Sequence, residues 1–203
     1  MSYSLARIFS YLLNPFLMPS YALLLIFSSN TYIGFGVTSK AKQLVFLLVF
    51  VNTFLIPTIL SFFLIRRKLV SDMEMSSNLE RRLPLLITTL FYVFTYYLLL
   101  KVRLSPIIYV VMMAATISII IAMMVNFKWK ISLHMIGIGG LIGALIGISL
   151  RQHVDFRGLI ILLILLAGIL GSSRLKLNSH TPAQVYVGFF VGVFCELTFL
   201  LGL

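Results

Sequence analysis

The chain has 203 residues, of which 61% are hydrophobic and only 10% charged. That is too little charge to cover a soluble surface of this size, so a water-soluble enzyme or binding domain is excluded. Lys and Arg number 16 against 5 Asp and Glu, a balance that points to anionic lipid or an anionic substrate and leaves few carboxylates for a catalytic metal.

A spanning helix needs about 20 mostly apolar residues. Continuous apolar runs predict spans at roughly 8–28, 43–65, 84–101, 106–126, 131–150, 157–172 and 183–203. The first run is interrupted by Asn14-Pro15 and Pro19, which predicts a kink or a dip into the interface. It reads as a membrane segment rather than a removed signal peptide, because no small-residue cleavage site follows it. The runs do not alternate, which rejects a β-barrel. The expected fold is therefore all-α: one polytopic bundle of six to seven transmembrane helices over 1–203, with 1–42 forming a first span and loop. Cys195 is the single cysteine and forms no internal disulfide.

The loops between these spans sort onto two faces. One face carries the amino terminus and residues 66–83, 127–130 and 173–182. The other carries 29–42, 102–105 and 151–156. The first face collects most of the cations, together with His134 and His180. Three polar clusters, at 80–84, 130–134 and 173–184, each precede an odd-numbered span, so they reach the same side and can assemble one composite site. The cations lie in short loops rather than along one soluble surface, so nucleic acid is not expected as a partner. No His, Cys, Asp or Glu group has metal-ligand spacing, so neither metal nor other cofactor is expected.

Three sequence features carry the chemistry. Ser173-Arg174 is followed after five residues by His180, and after three more by Gln184. Lys130-Ile131-Ser132-Leu133-His134 opens the fifth span, and Glu80-Arg81-Arg82-Leu83-Pro84 opens the third. In this order they resemble the three signature motifs of the type-2 phosphatidic acid phosphatases, relatives of the vanadium haloperoxidases. That family's first motif is Lys, six residues, Arg-Pro; its second is Pro-Ser-Gly-His; its third is Ser-Arg, five residues, His, three residues, Asp. Here Met75 stands where Arg82 would require the lysine, Ile131 and Leu133 replace Pro and Gly, and Gln184 replaces the Asp.

The resemblance implies a membrane phosphatase acting on a phosphorylated lipid without a metal. His180 is then the nucleophile, Gln184 its orienting partner and His134 the general acid. Arg82, Arg81, Lys130, Arg174, Ser132 and Ser173 are the substrate-binding residues, holding phosphoryl oxygens. The expected location is a bacterial inner membrane. A neutral amide at 184 can hold the ring tautomer but cannot offset a developing positive charge. A non-catalytic relative that binds a phosphorylated lipid or scaffolds a membrane partner is therefore the alternative, and a small transporter a more distant one.

Two further features stand apart. Gly139, Gly143 and Gly147 recur at four-residue spacing, which suits close helix approach, while Gly137 is a candidate phosphate cradle. Glu196 lies deep in the last span, where a carboxyl must face the bundle interior or a wet cavity.

Overall fold

The computed structural model describes residues 1–29, 31–35, 37–72, 75 and 77–202. Its described residues form an all-α polytopic bundle: α1 (Tyr3–Leu12), α2 (Met18–Ser28), α3 (Tyr32–Phe35), α4 (Ser39–Phe50), α5 (Ile56–Arg66), α6 (Asn78–Leu99), α7 (Pro106–Asn126), α8 (Leu133–Gln152), α9 (Arg157–Lys176) and α10 (Pro182–Leu201). Seven segments among them are long and apolar enough to cross a membrane, at Tyr3–Ser28, Ser39–Arg66, Asn78–Leu99, Pro106–Asn126, Leu133–Gln152, Arg157–Lys176 and Pro182–Leu201. The chain is an integral membrane protein built of helices.

The breaks in these helices follow from local chemistry. Asn14 accepts from Phe16 N–H at 2.9 Å and caps a single 3₁₀ turn, Pro15–Leu17, which separates α1 from α2. The second span is continuous but contains a π-helical turn, Val51–Leu55, between α4 and α5. Pro57 follows it after Ile56, in the first turn of α5. A proline nitrogen cannot donate to the helix, and the wider turn accommodates the missing bond. Helix starts carry side-chain caps at Ser2, Thr38, Ser77 and Thr181, and α7 and α10 begin on a proline. These devices satisfy amide hydrogens that lipid cannot.

The tightest packing joins α8 to α10, which run parallel because both start at the same face. A methyl group on Gly139 would collide with Phe189 O, and one on Gly192 with Ile136 O. The same group on Gly143 would sit 2.6 Å from Val193 O, and on Gly188 2.7 Å from Ser132 O. Glycines on both helices thus bring the two backbones into contact, as lipid-embedded helices do when packing rather than hydrophobicity drives association. Gly137 belongs to another contact: a methyl there would meet Met18 Cγ at 2.8 Å and Pro15 Cα at 3.3 Å. It makes room for the break between α1 and α2 in the first span, so its expected role as a phosphate cradle is replaced by helix packing.

Candidate functional site

The three polar clusters meet at one end of the bundle. Ser132 N–H donates to Gln184 O at 3.4 Å, tying the start of α8 to the start of α10. Arg81 Nη1 donates to Ile131 O at 3.0 Å, bringing α6 to the same place. Asn126 Nδ2 reaches Asn78 O at 3.0 Å, holding the end of α7 to the start of α6. The loop between α9 and α10 completes the set with His180.

Helix register decides which arginine enters. The buried positions of α6 are Arg81, Pro84, Leu85, Thr88, Thr89, Tyr92, Thr95 and Leu99, an inward stripe at helical spacing. Arg81 lies on that stripe and is 6% exposed. Arg82 is one residue, about 100°, further round. It is exposed, with its guanidinium 5.1 Å from the centroid of the Phe127 ring. The expectation that Arg82 joins the cluster is therefore corrected: Arg81 takes that place. Glu80 is bonded by the Ser71 hydroxyl at 3.0 Å.

His180 is buried, and its surroundings define its protonation. Thr181 N–H donates to Gln184 Oε1 at 3.1 Å, as part of the capping box that starts α10. An amide hydrogen requires an oxygen acceptor, so the orientation of the Gln184 amide is set. His180 Nδ1 lies 3.0 Å from that same oxygen. Nδ1 must then carry the hydrogen, which leaves the lone pair on Nε2. Nε2 is enclosed and has no hydrogen-bond partner among the described residues. Burial first, then the Arg81 guanidinium, push the imidazole from its ordinary value down to about 3; the bond to Gln184 opposes this, and Arg174 and Lys130 add to it. The ring is a neutral base with its free nitrogen amid fixed cations.

His134 lies one residue inside α8, with Nε2 3.1 Å from Ser10 O. A carbonyl only accepts, so Nε2 carries a hydrogen. Arg174, His180 and Arg81 are all close enough to act on this ring electrostatically. Arg174 is buried in the last turn of α9, and its Nη1 donates to Ser10 Oγ at 3.3 Å. Ser10, buried on α1, thus touches both His134 and Arg174. No motif marks Ser10; the signal available is the four-residue spacing of Ala6 and Ser10, which sets two small residues on one face of an amphipathic segment.

The remaining expected residues divide. Lys130 is half-buried and near His180. Ser132 is fully buried, and its hydroxyl has no hydrogen-bond partner among the described residues. Ser173 commits its hydroxyl hydrogen to Ile169 O in its own helix, at 2.7 Å. At the opposite end of the bundle the Asp155–Arg157 pair is exposed, with a 2.7 Å contact that holds the Asp155 carboxyl down to about 2.

Arg81, Lys130, His134, Arg174 and His180 therefore form one cluster of cations and imidazoles, drawn from three separate stretches of chain and covered by α1. Such a cluster suits an oxyanion with several oxygens, and the free Nε2 suits attack on an electrophile. No family model, curated protein or solved structure matches the chain.

Proposed function

We propose that this protein is a lipid-phosphate phosphatase-like enzyme, a divergent counterpart of the type-2 phosphatidic acid phosphatases, working through a phosphohistidine on His180 without a metal ion. The observation that carries this reading is the His180 tautomer, fixed by Gln184 so that Nε2 presents a lone pair beside Arg81, Arg174 and Lys130. In the first step Nε2 forms a bond to phosphorus while the bond to the lipid oxygen breaks. His134, protonated on both ring nitrogens once the anionic phosphoryl group is bound, exchanges Ser10 O for the leaving oxygen, gives it the Nε2 proton and becomes neutral, to be reprotonated by the water of the second step. Water then attacks phosphorus, the N–P bond breaks, and a proton returns by the same route. Inorganic phosphate leaves, and the Nε2 lone pair is restored. Arg81, Arg174 and Lys130 stabilise the charge on the phosphoryl oxygens in both steps. The substrate class is a phosphatidate, a prenyl diphosphate or a lipid A phosphate, in a bacterial inner membrane.

One observation favours a second reading, in which the cluster binds a phosphorylated lipid without turnover. The partner of Nδ1 is a neutral amide, which leaves the cationic phosphohistidine uncompensated. The experiment that separates the two is phosphate release by purified protein in detergent, with chelator present, from a panel of these three lipids. Release that survives chelator, stops with vanadate and is absent in His180→Ala supports the enzyme. Undiminished release from His180→Ala, or release that needs added magnesium, rejects the mechanism. Lipid binding with no release from any substrate favours the second reading.

A further inference from the structure

α1 lies over the cation cluster and is lightly attached there. Of its ten residues only Ala6 and Ser10 are buried, and it rests mainly on α9. α2 is anchored differently, with Met18, Pro19, Ser20, Ala22, Leu23 and Ile26 all buried. Between the two the backbone leaves the helix: Leu13 has φ −98° and ψ 44°, and Asn14 is extended at φ −62° and ψ 132°. The 3₁₀ turn that follows is fixed, because Thr53 Oγ1 donates to Phe16 O at 3.2 Å. A movement of α1 is therefore absorbed at Leu13 and Asn14, two element-terminal residues of the kind that act as hinges.

The contacts that hold α1 down are polar. The last carbonyls of a helix have no partner within it. Here Ser10 O accepts from His134 Nε2 at 3.1 Å, and Leu12 O accepts from the Tyr21 hydroxyl at 2.9 Å. Ser10 Oγ accepts from Arg174 Nη1 at 3.3 Å. The carbonyl end of a helix also carries the negative end of its dipole. The last turn of α1 thus offers His134 and Arg174 two oxygens and a partial negative charge, which are the features of a phosphoryl group. A phosphoryl group in the cluster needs the same two donors, so it competes with Ser10 for them. The outward side of α1 carries Tyr3, Leu5, Ile8, Tyr11 and Leu12, all exposed. That apolar side meets lipid whether the helix is down or lifted, and lifting it uncovers little of its own inner side beyond Ala6 and Ser10.

We propose that α1 is a lid over the cluster, held closed by Ser10 standing in for phosphoryl oxygens, and that a phosphoryl group opens it by displacing Ser10 about the hinge at Leu13 and Asn14. The lid rests on the reading that the cluster binds such a group. A closed lid lowers the apparent affinity by the fraction of molecules that are open. A change that weakens closure therefore tightens binding.

The test measures binding of dioctanoyl phosphatidate, inorganic phosphate and dioctanoylglycerol to the full chain in detergent, by microscale thermophoresis. Ser10→Ala keeps the carbonyl but removes the oxygen on Arg174, and Tyr21→Phe removes the bond to Leu12 O. Each should tighten phosphatidate binding by about fivefold, equivalent to one hydrogen bond of ~1 kcal/mol. A residue that only supports the site gives the opposite sign. The opening itself is read in the double variant Cys195→Ser, Ala6→Cys, because Ala6 is 0% exposed and position 6 then holds the single thiol. Labelling by a water-soluble maleimide should accelerate with phosphatidate and stay unchanged with dioctanoylglycerol. Acceleration by inorganic phosphate as well makes the phosphoryl group alone the trigger, and acceleration by phosphatidate alone makes it the lipid headgroup; both outcomes support the lid. Where the thiol variant does not fold, faster hydrogen exchange over residues 3–12 of the unaltered protein with phosphatidate reads the same event. Weaker binding by Ser10→Ala and Tyr21→Phe, equal acceleration by dioctanoylglycerol, or bound phosphatidate with unchanged labelling and exchange overturns the lid and leaves the cluster standing. Binding of neither phosphatidate nor phosphate overturns the cluster reading and the lid together.

Discussion

His180 and Gln184 share one oxygen in a three-way contact: Gln184 Oε1 accepts from Thr181 N–H at 3.1 Å and from His180 Nδ1 at 3.0 Å. The helix cap and the imidazole tautomer are therefore one device. The capping box that starts α10 orients the amide, and the amide turns the Nε2 lone pair inward. Gln184→Glu keeps the length, the oxygen and the cap while adding a charge beside Nδ1.

If His180 is phosphorylated during turnover, Gln184→Glu should raise the rate of phosphate release about tenfold, the effect of ~1.4 kcal/mol of added transition-state stabilisation. Gln184→Leu removes the acceptor and frees the ring to adopt either tautomer, and should lower the rate by at least a hundredfold. The measurement is initial-rate phosphate release on whichever lipid is turned over. A Gln184→Leu variant as fast as the unaltered protein would detach the tautomer from the chemistry.

Arg81 and Arg82 differ only in register, so they make a matched pair. Arg81→Ala should weaken binding of a phosphorylated lipid by about 1–3 kcal/mol and also destabilise the fold through the lost bond to Ile131 O. Arg82→Ala loses only an exposed contact with Phe127 and should stay within about 0.5 kcal/mol on both counts. Lipid binding by microscale thermophoresis and a thermal melt of each variant read the two effects. Equal losses from the two substitutions would contradict the inward register of α6.

The contrast also shows what was legible in the chain. The spans are plain in sequence because lipid demands long apolar runs, and boundaries such as 106–126 match α7 at both ends. The sorting of loops onto two faces follows from counting spans, and it brings the clusters at 80–84, 130–134 and 173–184 together. The sequence offers both Arg81 and Arg82 beside Pro84, and the inward face that selects Arg81 is set by the heptad-spaced run Arg81, Thr88, Thr95. Ser10 carried no motif, since its role arises only when α1 is laid against α9 and α8. Gly137 looked like a phosphate cradle because it is near His134 in sequence, but it faces Pro15 and Met18 across the bundle.

The pH response follows from the direction of the His180 shift. Its folded value is pushed below the ordinary 6.5 to about 3. A neutral folded imidazole contributes stability that is fully present above about 6.5 and is lost as pH falls toward 3, because the unfolded chain gains the proton first. The limiting slope is about 1.4 kcal/mol per pH unit. Thermal melts of the unaltered protein and His180→Gln should run parallel above pH 7. Between pH 6 and 4 the unaltered protein should lose stability faster. A ¹⁵N spectrum should show a neutral, Nδ1-protonated His180 at pH 5. A charged ring at that pH would mean that the burial and the cationic surroundings that lower its value are absent in solution.

The α8–α10 seam predicts the largest stability effect in the molecule. A Cβ on Gly192 would strike Ile136 O and stand 2.6 Å from Gly140 N, both backbone atoms that cannot rotate away. Gly192→Ala must therefore separate two helices, with a cost of several kcal/mol, comparable to overpacking a dense core. The displacement would also disturb Ser132, whose carbonyl packs against Gly188 and whose N–H bonds Gln184 O. Loss of folding should thus accompany loss of the His180 geometry. Gly168 is the control: it lies within α9, nothing among the described residues comes within 4 Å of an added Cβ, and Gly168→Ala should stabilise by about 0.5–1 kcal/mol through helix propensity alone. Melting temperatures in detergent read both. If Gly192→Ala melts no lower than Gly168→Ala, the two backbones are not in contact, and the placement of His180 against α8 falls with that contact.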